Sequence, residues 1–315
     1  MARRGRFERL ATERANPASR RLDAMTPIQV ARLMNAEDQR AVAAVGRQAR
    51  AIAQAVDVIT DALAHGGRLF FVGAGTSGRL GVLEAAECPP TFGTRPGMVQ
   101  AVMAGGRASV FRSREGAEDD ARAARRTMRA RVRAGDVVVG ISASGITPFV
   151  AAALDVARDR GASSILVACN PAARRRRRDR AHGSPDVVIA PSPGPEVLAG
   201  STRLKAGTAT KLVLNTLTLA SMARLGKVYG NRMVDLQPRS AKLRDRARRL
   251  VRDLGGVPSA RAAALLRAAA GNLRVAIVMA RTRASAPAAA RALREAGGLL
   301  GIVLQSSGKR LQRQR

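Results

Sequence analysis

Arg68-Leu69-Phe70-Phe71-Val72-Gly73-Ala74-Gly75-Thr76-Ser77-Gly78-Arg79 is the stretch whose reading decides the fold. A short apolar run, Arg68–Val72, ends at glycines. Hydroxyl residues follow at once, and then a helix-like segment, Leu80–Glu87. Glycine lets the backbone turn tightly and approach a ligand. Thr76 and Ser77 add hydroxyl donors, and the N-terminus of the next helix points at the same spot, an arrangement that suits a phosphate. The loop lacks the Gly-Lys-Ser/Thr ending of a Walker A motif and matches the dinucleotide fingerprint only in part. By itself it also reads as an ordinary tight turn.

Moving outward, four more short apolar runs follow: Val99–Met103, Asp136–Ile141, Ser164–Cys169 and Asp186–Ala190. Helix-like segments separate them, at Ser113–Arg133 and Pro148–Arg160. Continuous apolar strands alternating with helices predict an α/β fold, a parallel sheet covered on both faces. In such sheets the strand exits carry the site. The third run exits into Ser142-Ala143-Ser144-Gly145-Ile146-Thr147-Pro148, which repeats the first design: small hydroxyls, a glycine, then proline at a helix start. Helix capping alone needs only one hydroxyl at each place. A third hydroxyl pair, Ser201-Thr202, opens a long helix expected to run to Gly226, with Arg203 and Lys205 close behind. Glu84 and Glu87 lie on the first loop's helix, and Glu115 and Glu118 stand three apart on the next, a spacing that shares a helix face. By spacing alone, solvated faces account for these carboxylates better than chemistry does. A pair held near a sugar phosphate could serve as general acid and general base.

Residues 1–50 read as an N-terminal helical extension. Thr26-Pro27 looks like a helix cap with proline at the first position. Ile28, Leu33 and Met34 follow at helical spacing, more apolar surface than a solvated arm needs, and this predicts a homodimer. A second helix is expected over Ala51–Ala64. The sheet domain is expected over residues 51–237, and a small helical domain with a basic tail over 238–315, with the boundary near Pro238. Ser259 and Ser285 are the expected N-caps there, and Gly271-Asn272 and Gly297-Gly298 the expected breaks.

Composition narrows the function. The formal charge is +32, from 55 Lys and Arg against 23 Asp and Glu. Such a balance raises nucleic acid as a partner. Yet only Lys205, Lys211, Lys227, Lys242 and Lys309 are lysines. The arginine skew reads as surface bias, and the run Arg174–Arg178 as a solvated loop. Aromatic residues are 2% of the chain, with no Trp and one Tyr, too few for the stacking platforms of single-strand binders. No specific nucleic-acid partner is expected. Two isolated cysteines, Cys88 and Cys169, make neither a disulfide framework nor a metal pair. Two scattered histidines, His65 and His182, make no zinc site. No apolar stretch is long enough for a bilayer and none resembles a signal peptide, so no membrane partner and a cytoplasmic location are expected.

Several stretches together resemble a family, the N-acetylmuramic acid 6-phosphate etherases. They are Gly73–Arg79, Leu83–Gly93 with its Glu-Cys-Pro-Pro core, Glu115-Gly116-Ala117-Glu118-Asp119, Ser142–Pro148, Gly194–Thr208 and Gly226–Asp235. Thr12-Glu13 and Asn16-Pro17-Ala18-Ser19 fit as well. Gly194–Thr208 is also similar to a signature of the glucokinase regulatory protein, a noncatalytic sugar-phosphate-binding regulator and the alternative reading; the length leaves no room for that protein's second sugar isomerase (SIS) domain. The resemblance implies a SIS domain, a parallel five-stranded sheet flanked by helices, plus a small C-terminal all-helical domain. It implies an amino-sugar phosphate substrate, no cofactor and no metal. It implies Glu87 and Glu118 as the catalytic pair, with Glu87 protonating the departing lactate and Glu118 abstracting a proton and activating water. Thr76, Ser77, Glu115, Ser142, Ser144, Thr147, Ser201 and Lys205 are the expected substrate contacts. Glu84 stands where the family often has Asp, Ile146 where Arg or Thr is frequent, and the tail Ser306–Arg315 is extra.

Overall fold

The computed structural model describes residues 11–173, 184–235 and 240–312. The Arg174–Arg178 run, His182 and the boundary expected near Pro238 lie outside the described residues. Five strands, β1 Leu69–Gly73, β2 Val99–Met103, β3 Val137–Ile141, β4 Ser163–Val167 and β5 Val187–Ile189, form one sheet in the order β2-β1-β3-β4-β5. Every neighbouring pair is parallel. The central strands β1 and β3 are buried along their whole length. This is why they read as unbroken apolar runs: a strand covered on both faces has no solvent side to alternate with.

The charged residues that open two of these runs work as clips. Asp136 is fully buried and pairs with Arg68 at 2.6 Å. It also accepts the backbone N–H groups of Arg68 and Arg133, each at 2.9 Å. One carboxylate thus ties the entrance of β1 to that of β3. Asp186 acts likewise before β5, accepting from the Ser164 backbone at 2.7 Å and the Ser164 hydroxyl at 2.9 Å.

The helices are α1 Pro27–Gly46, α2 Ala49–Ala64, α3 Gly75–Phe92, α4 Ala108–Phe111, α5 Ala121–Arg131, α6 Pro148–Asp159 and α7 Lys205–Arg224, followed by α8 Ala241–Gly255, α9 Ser259–Ala268, α10 Leu273–Thr282, α11 Ala286–Glu295 and α12 Leu300–Gln312. Thr26 caps α1 in a reciprocal box with Gln29. Three expectations change. First, α3 starts inside the glycine-rich loop rather than at Leu80, and it carries Pro89 and Pro90 in its last turn. Second, the single helix expected over Ser113–Arg133 is broken. Gly116 takes a left-handed conformation, φ 70°, a short 3-10 turn spans Ala117–Asp119, and Asp120 caps the start of α5 by accepting from the Ala123 N–H at 2.8 Å. Glu115 and Glu118 therefore share no helix face. Third, Ser259 is the first residue of α9 and Pro258 is its N-cap residue, which makes no side-chain cap; Ser285 does cap α11.

The chain divides into two compact units: Met1–Ala86 with Gly97–Leu219, and Glu87–Pro96 with Ala220–Arg315. The second unit has its own core, built on Val234, Leu250, Val251, Leu265, Ile277 and Leu300. A two-residue antiparallel hairpin, β6 Val228–Tyr229 and β7 Arg232–Met233, joins its five helices.

In the first unit, a buried ion pair fastens α1 to the start of α7. Lys205 is 1% exposed and its ammonium donates to Glu37 and, at 3.2 Å, to the Pro193 carbonyl. Glu37 also accepts from Asn16 at 2.7 Å and pairs with Arg40 at 3.0 Å. Burial alone would raise the Glu37 carboxyl, but the hydrogen bonds from Lys205 and Asn16, with the charges of Lys205 and Arg40, hold it below its ordinary value of 4.5. Its stabilising effect is complete above that value and is lost as the pH falls through the lower, folded one. Glu37→Gln leaves a buried ammonium uncompensated and is expected to cost about 3–5 kcal/mol at neutral pH, read by urea unfolding. As the pH falls below that ordinary value the wild-type curve should approach that of the variant; two curves that stay parallel through acid would contradict this role of the pair.

Candidate active site

The strand order places a reversal between β1 and β3. The chain leaves β1 toward β2 on one side, and β3, β4 and β5 build outward on the other. In open parallel sheets the crevice at such a switch point, outside the carboxyl ends of the strands, receives the ligand. The last residues of the two strands, Gly73 and Ile141, are paired neighbours. The two hydroxyl-rich loops follow directly from them, so they open side by side over this crevice.

Close packing brings α3 down onto the sheet. A Cβ on Gly78 would sit 2.6 Å from the Gly73 carbonyl and 2.6 Å from the Met103 sulfur, so only glycine lets the helix begin this near the strand. The first helical hydrogen bond runs from the Gly78 N–H to the Ala74 carbonyl, 3.1 Å. The N–H groups of Gly75, Thr76 and Ser77 have no partner among the described residues, and neither do the Thr76 and Ser77 hydroxyls. At α6, Thr147 is the N-cap residue but makes no side-chain cap. Its hydroxyl instead meets that of Ser142 at 2.7 Å, and Ser142 meets Ser144 at 3.3 Å. Ser142 and Ser144 also accept the N–H groups of Gly145 and Ile146. The structure thus gathers Ser142, Ser144 and Thr147 into one hydroxyl cluster, beside an uncapped helix end that carries Thr76 and Ser77. Two open helix N-termini with hydroxyls make an anion-binding crevice.

The start of α7 is closed by contrast. Glu196 is 1% exposed and accepts the N–H groups of Lys205 and Ala206 at 2.8 and 2.9 Å. Burial pushes its carboxyl up, against the pull of those two N–H groups and of Lys205. Lys205, expected among the substrate contacts, has its ammonium committed to Glu37 inside the unit. Ser201 lies half-buried in the turn just before α7. The helix still belongs to the crevice wall: a Cβ on Gly207 would lie 3.7 Å from the Thr76 methyl. Spacing did not single out Glu37 or Glu196; both act across sequence gaps, and only Glu196 lies in a stretch quoted for the family resemblance.

The candidate acids occupy different surroundings. Ala117, between Glu115 and Glu118, packs against the same core cluster as Ala74 of the glycine-rich loop. The turn around it also packs against α6. Glu118 is exposed on that turn, while Glu115 lines a cavity of about 1260 Å³ that Arg107, Phe111, Arg114 and Arg126 also line. Glu87 is exposed on α3 and falls in the second compact unit. Glu84 is structural: it is buried, bound by Lys211 at 2.6 Å and by the Thr218 hydroxyl at 2.8 Å. Both cysteines are buried, and burial pushes the Cys169 thiol up to about 12. Among the described residues no three His, Cys, Asp or Glu side chains gather in a way that could hold a metal ion, and no single helix is long and apolar enough to cross a membrane.

A switch-point crevice belongs to open parallel α/β sheets in general; what marks this one as a sugar-isomerase-type domain is that residues 51–158 match the model of the glucokinase regulatory protein N-terminal SIS domain. Across nearly the full length the chain is similar to proteins named N-acetylmuramic acid 6-phosphate etherase. The relative from Gloeobacter violaceus is 50% identical over 297 residues, 94% of this chain and 95% of its own. That from Geobacillus thermodenitrificans is 46% identical over 300 residues, covering 95% of this chain and all of its own. That from Rubrobacter xylanophilus is 51% identical over 274 residues, 87% and 89% of the two chains. The chain belongs to the N-acetylmuramic acid 6-phosphate etherase family.

The closeness of α3 to β1 can be tested directly. Gly78→Ala forces the helix away from the strand and is expected to lower stability by about 1–3 kcal/mol, as overpacking does. A thermal unfolding midpoint unchanged from wild type would show that the helix start has room to move.

Proposed function

We propose that this protein cleaves the D-lactyl ether of N-acetylmuramic acid 6-phosphate, giving N-acetylglucosamine 6-phosphate and D-lactate, in cytoplasmic recycling of cell-wall amino sugars. The observation that carries the reading is the pair of open helix N-termini at the switch point, in a chain about half identical to an etherase relative along 94% of its length. The 6-phosphate takes the N–H groups of Gly75, Thr76 and Ser77, with hydroxyls from Ser77, Ser142, Ser144 and Thr147.

The chemistry follows from the open-chain sugar. Its C1 aldehyde makes the C2 proton acidic. Glu118 removes that proton, and the electron pair of the C2–H bond forms a C2–C3 double bond as the C3–O bond breaks. The departing oxygen takes a proton from Glu87 and leaves as D-lactate. In the second half Glu118 gives its proton to C2 and orients the water that adds at C3, while the Glu87 carboxylate takes the proton that water releases; the double bond is consumed and both carboxyl groups regain their starting states. Atoms and charge balance without an external oxidant or reductant. The division of labour between the two carboxylates rests on the match to the Glu-Cys-Pro-Pro and Glu-Gly-Ala-Glu-Asp motifs.

We also propose that the active species is a homodimer in which each site draws on the partner chain. Apolar surface supports this reading: Phe111, beside the cavity that Glu115 lines, is 90% exposed, and Ile28 on α1 is 60% exposed. A two-fold dimer is the commonest way to cover such surface.

Incubation with N-acetylmuramic acid 6-phosphate and an enzymatic D-lactate assay tests the activity. Glu87→Gln and Glu118→Gln are each expected to slow release by about 10²–10⁴-fold, with the circular dichroism spectrum unchanged. Ser77→Ala and Ser144→Ala should raise KM more than they lower kcat. Retention of most of the wild-type rate by Glu87→Gln removes it from the mechanism. For the assembly, sedimentation at moderate salt, where a chain of charge +32 repels itself less, should give twice the 33.1 kDa chain mass. An active species sedimenting at the mass of one chain rules the dimer out.

A further inference from the structure

Arg79 closes the glycine-rich motif, on the second turn of α3, and its side chain reaches across to the segment that follows β2. Its Nε donates to the Val110 carbonyl at 2.7 Å, and one Nη donates to the Ser109 carbonyl at 2.9 Å and to the Ser113 hydroxyl at 3.3 Å. Val110 and Ser109 belong to α4, a single turn of helix. The last carbonyls of a helix have no partner within it and favour a cation. A planar guanidinium can hold two such carbonyls at once, which an ammonium cannot do with the same geometry.

The segment under this clamp leads directly to the candidate base. Ser113 is two residues before Glu115 and five before Glu118. Among the described residues neither Glu115 nor Glu118 has a hydrogen bond or ion pair of its own. Their positions are therefore set by the anchors of the backbone around them. On the far side the anchors are Ala117, packed in the core, and the Asp120 cap of α5. The exit of β2 adds a third: a Cβ on Gly105 would meet Ser109 Oγ at 2.2 Å and Ala117 Cβ at 3.3 Å, so β2, α4 and the Glu118 turn are in close contact. On the near side the side-chain anchor is Arg79.

We propose that Arg79 is a positioning residue, which ties the end of α4 and Ser113 to the helix of the phosphate loop and so fixes the distance between the bound phosphate and the Glu118 carboxylate. The proposal rests on the etherase reading. Its physical basis is that proton transfer requires heavy atoms within about 2.6–3.2 Å of one another, and a displacement of about 1 Å can cost about 10²-fold in rate. Arg79 touches no reacting atom in this account.

The test compares D-lactate release by wild type, Arg79→Gln, Arg79→Lys, Glu118→Gln and the Arg79→Gln/Glu118→Gln double variant. Arg79→Gln is expected to lower kcat by about 10²-fold while KM changes little. Arg79→Lys keeps the charge but loses the fork, and should fall nearly as far; it also serves if the glutamine variant does not fold. In the Glu118→Gln background the substitution should add little further loss, because the group it positions is already disabled. Hydrogen exchange of the amides from Arg112 to Glu118 should quicken in the arginine variants and stay unchanged elsewhere in the first unit. An Arg79→Gln enzyme with wild-type kcat overturns the proposal. So does a rise in KM alone, which would make Arg79 a phosphate ligand, or an undiminished loss in the Glu118→Gln background, which would make its role a general one. Absence of D-lactate from the wild type would instead overturn the etherase reading, and the proposal with it.

Discussion

Gly73 and Gly78 meet where β1 ends and α3 begins, and the geometry of the crevice depends on that contact. With any side chain at Gly78 the Gly73 carbonyl would be overrun. Because the helix can start so close to the strand, its unpartnered N–H groups lie directly over the switch point of the sheet rather than a loop's length away. The same closeness brings Gly81 against Phe71 and Ile141, so α3 seals β1 and β3 from above. The glycine-rich loop thus packs closely and keeps the N–H groups of the helix start open through one feature, the absence of side-chain atoms.

The structure treats its helix starts unequally, and the inequality has a chemical meaning. Glu196 closes the N-terminus of α7 with a buried carboxylate, while those of α3 and α6 are left open. A buried carboxylate at a helix start neutralises the partial positive charge that would otherwise attract an anion. The start of α7 is thereby less attractive to an anion than those of α3 and α6. Lys205 completes the arrangement: as its own N–H binds Glu196, its ammonium binds Glu37, and so α1 is held where α7 begins. Buried ion pairs contribute little to stability over a well-packed apolar alternative. What this one shows is a direct tie between α1 and the start of α7, which forms part of the crevice wall.

The carboxylates assigned to chemistry are placed differently from the structural ones. Glu37, Glu84, Asp136 and Glu196 are buried and engaged. Glu87, Glu115 and Glu118 are exposed. A carboxylate with no protein donor on it keeps all its lone pairs open to substrate and water. Exposure of the second set and commitment of the first therefore divide acidic residues that composition alone counts together.

Reading the sequence by itself was enough for the elements whose cause is local. The five strands are recognisable because burial on both faces requires continuous apolar runs, and the observed ends differ from the expected ones by only one or two residues. Thr26 and Ser285 are recognisable as caps because a hydroxyl before a helix has a local use. The two hydroxyl loops stood out for their composition. What remained undecided were matters of long-range geometry. No spacing rule says that the loops after β1 and β3 adjoin, since that follows from the strand order. Nor does local pattern show that Gly116 breaks the helix expected to carry Glu115 and Glu118; glycine is tolerated within helices, and here its left-handed conformation is set by the turn packed on Ala117. Lys205 is an expected substrate contact by family resemblance, and only the tertiary structure brings Glu37, more than a hundred residues earlier in the chain, against its ammonium. Side-chain chemistry is written in the sequence, but which groups stay available for a ligand is settled by partners that only folding brings within hydrogen-bond reach.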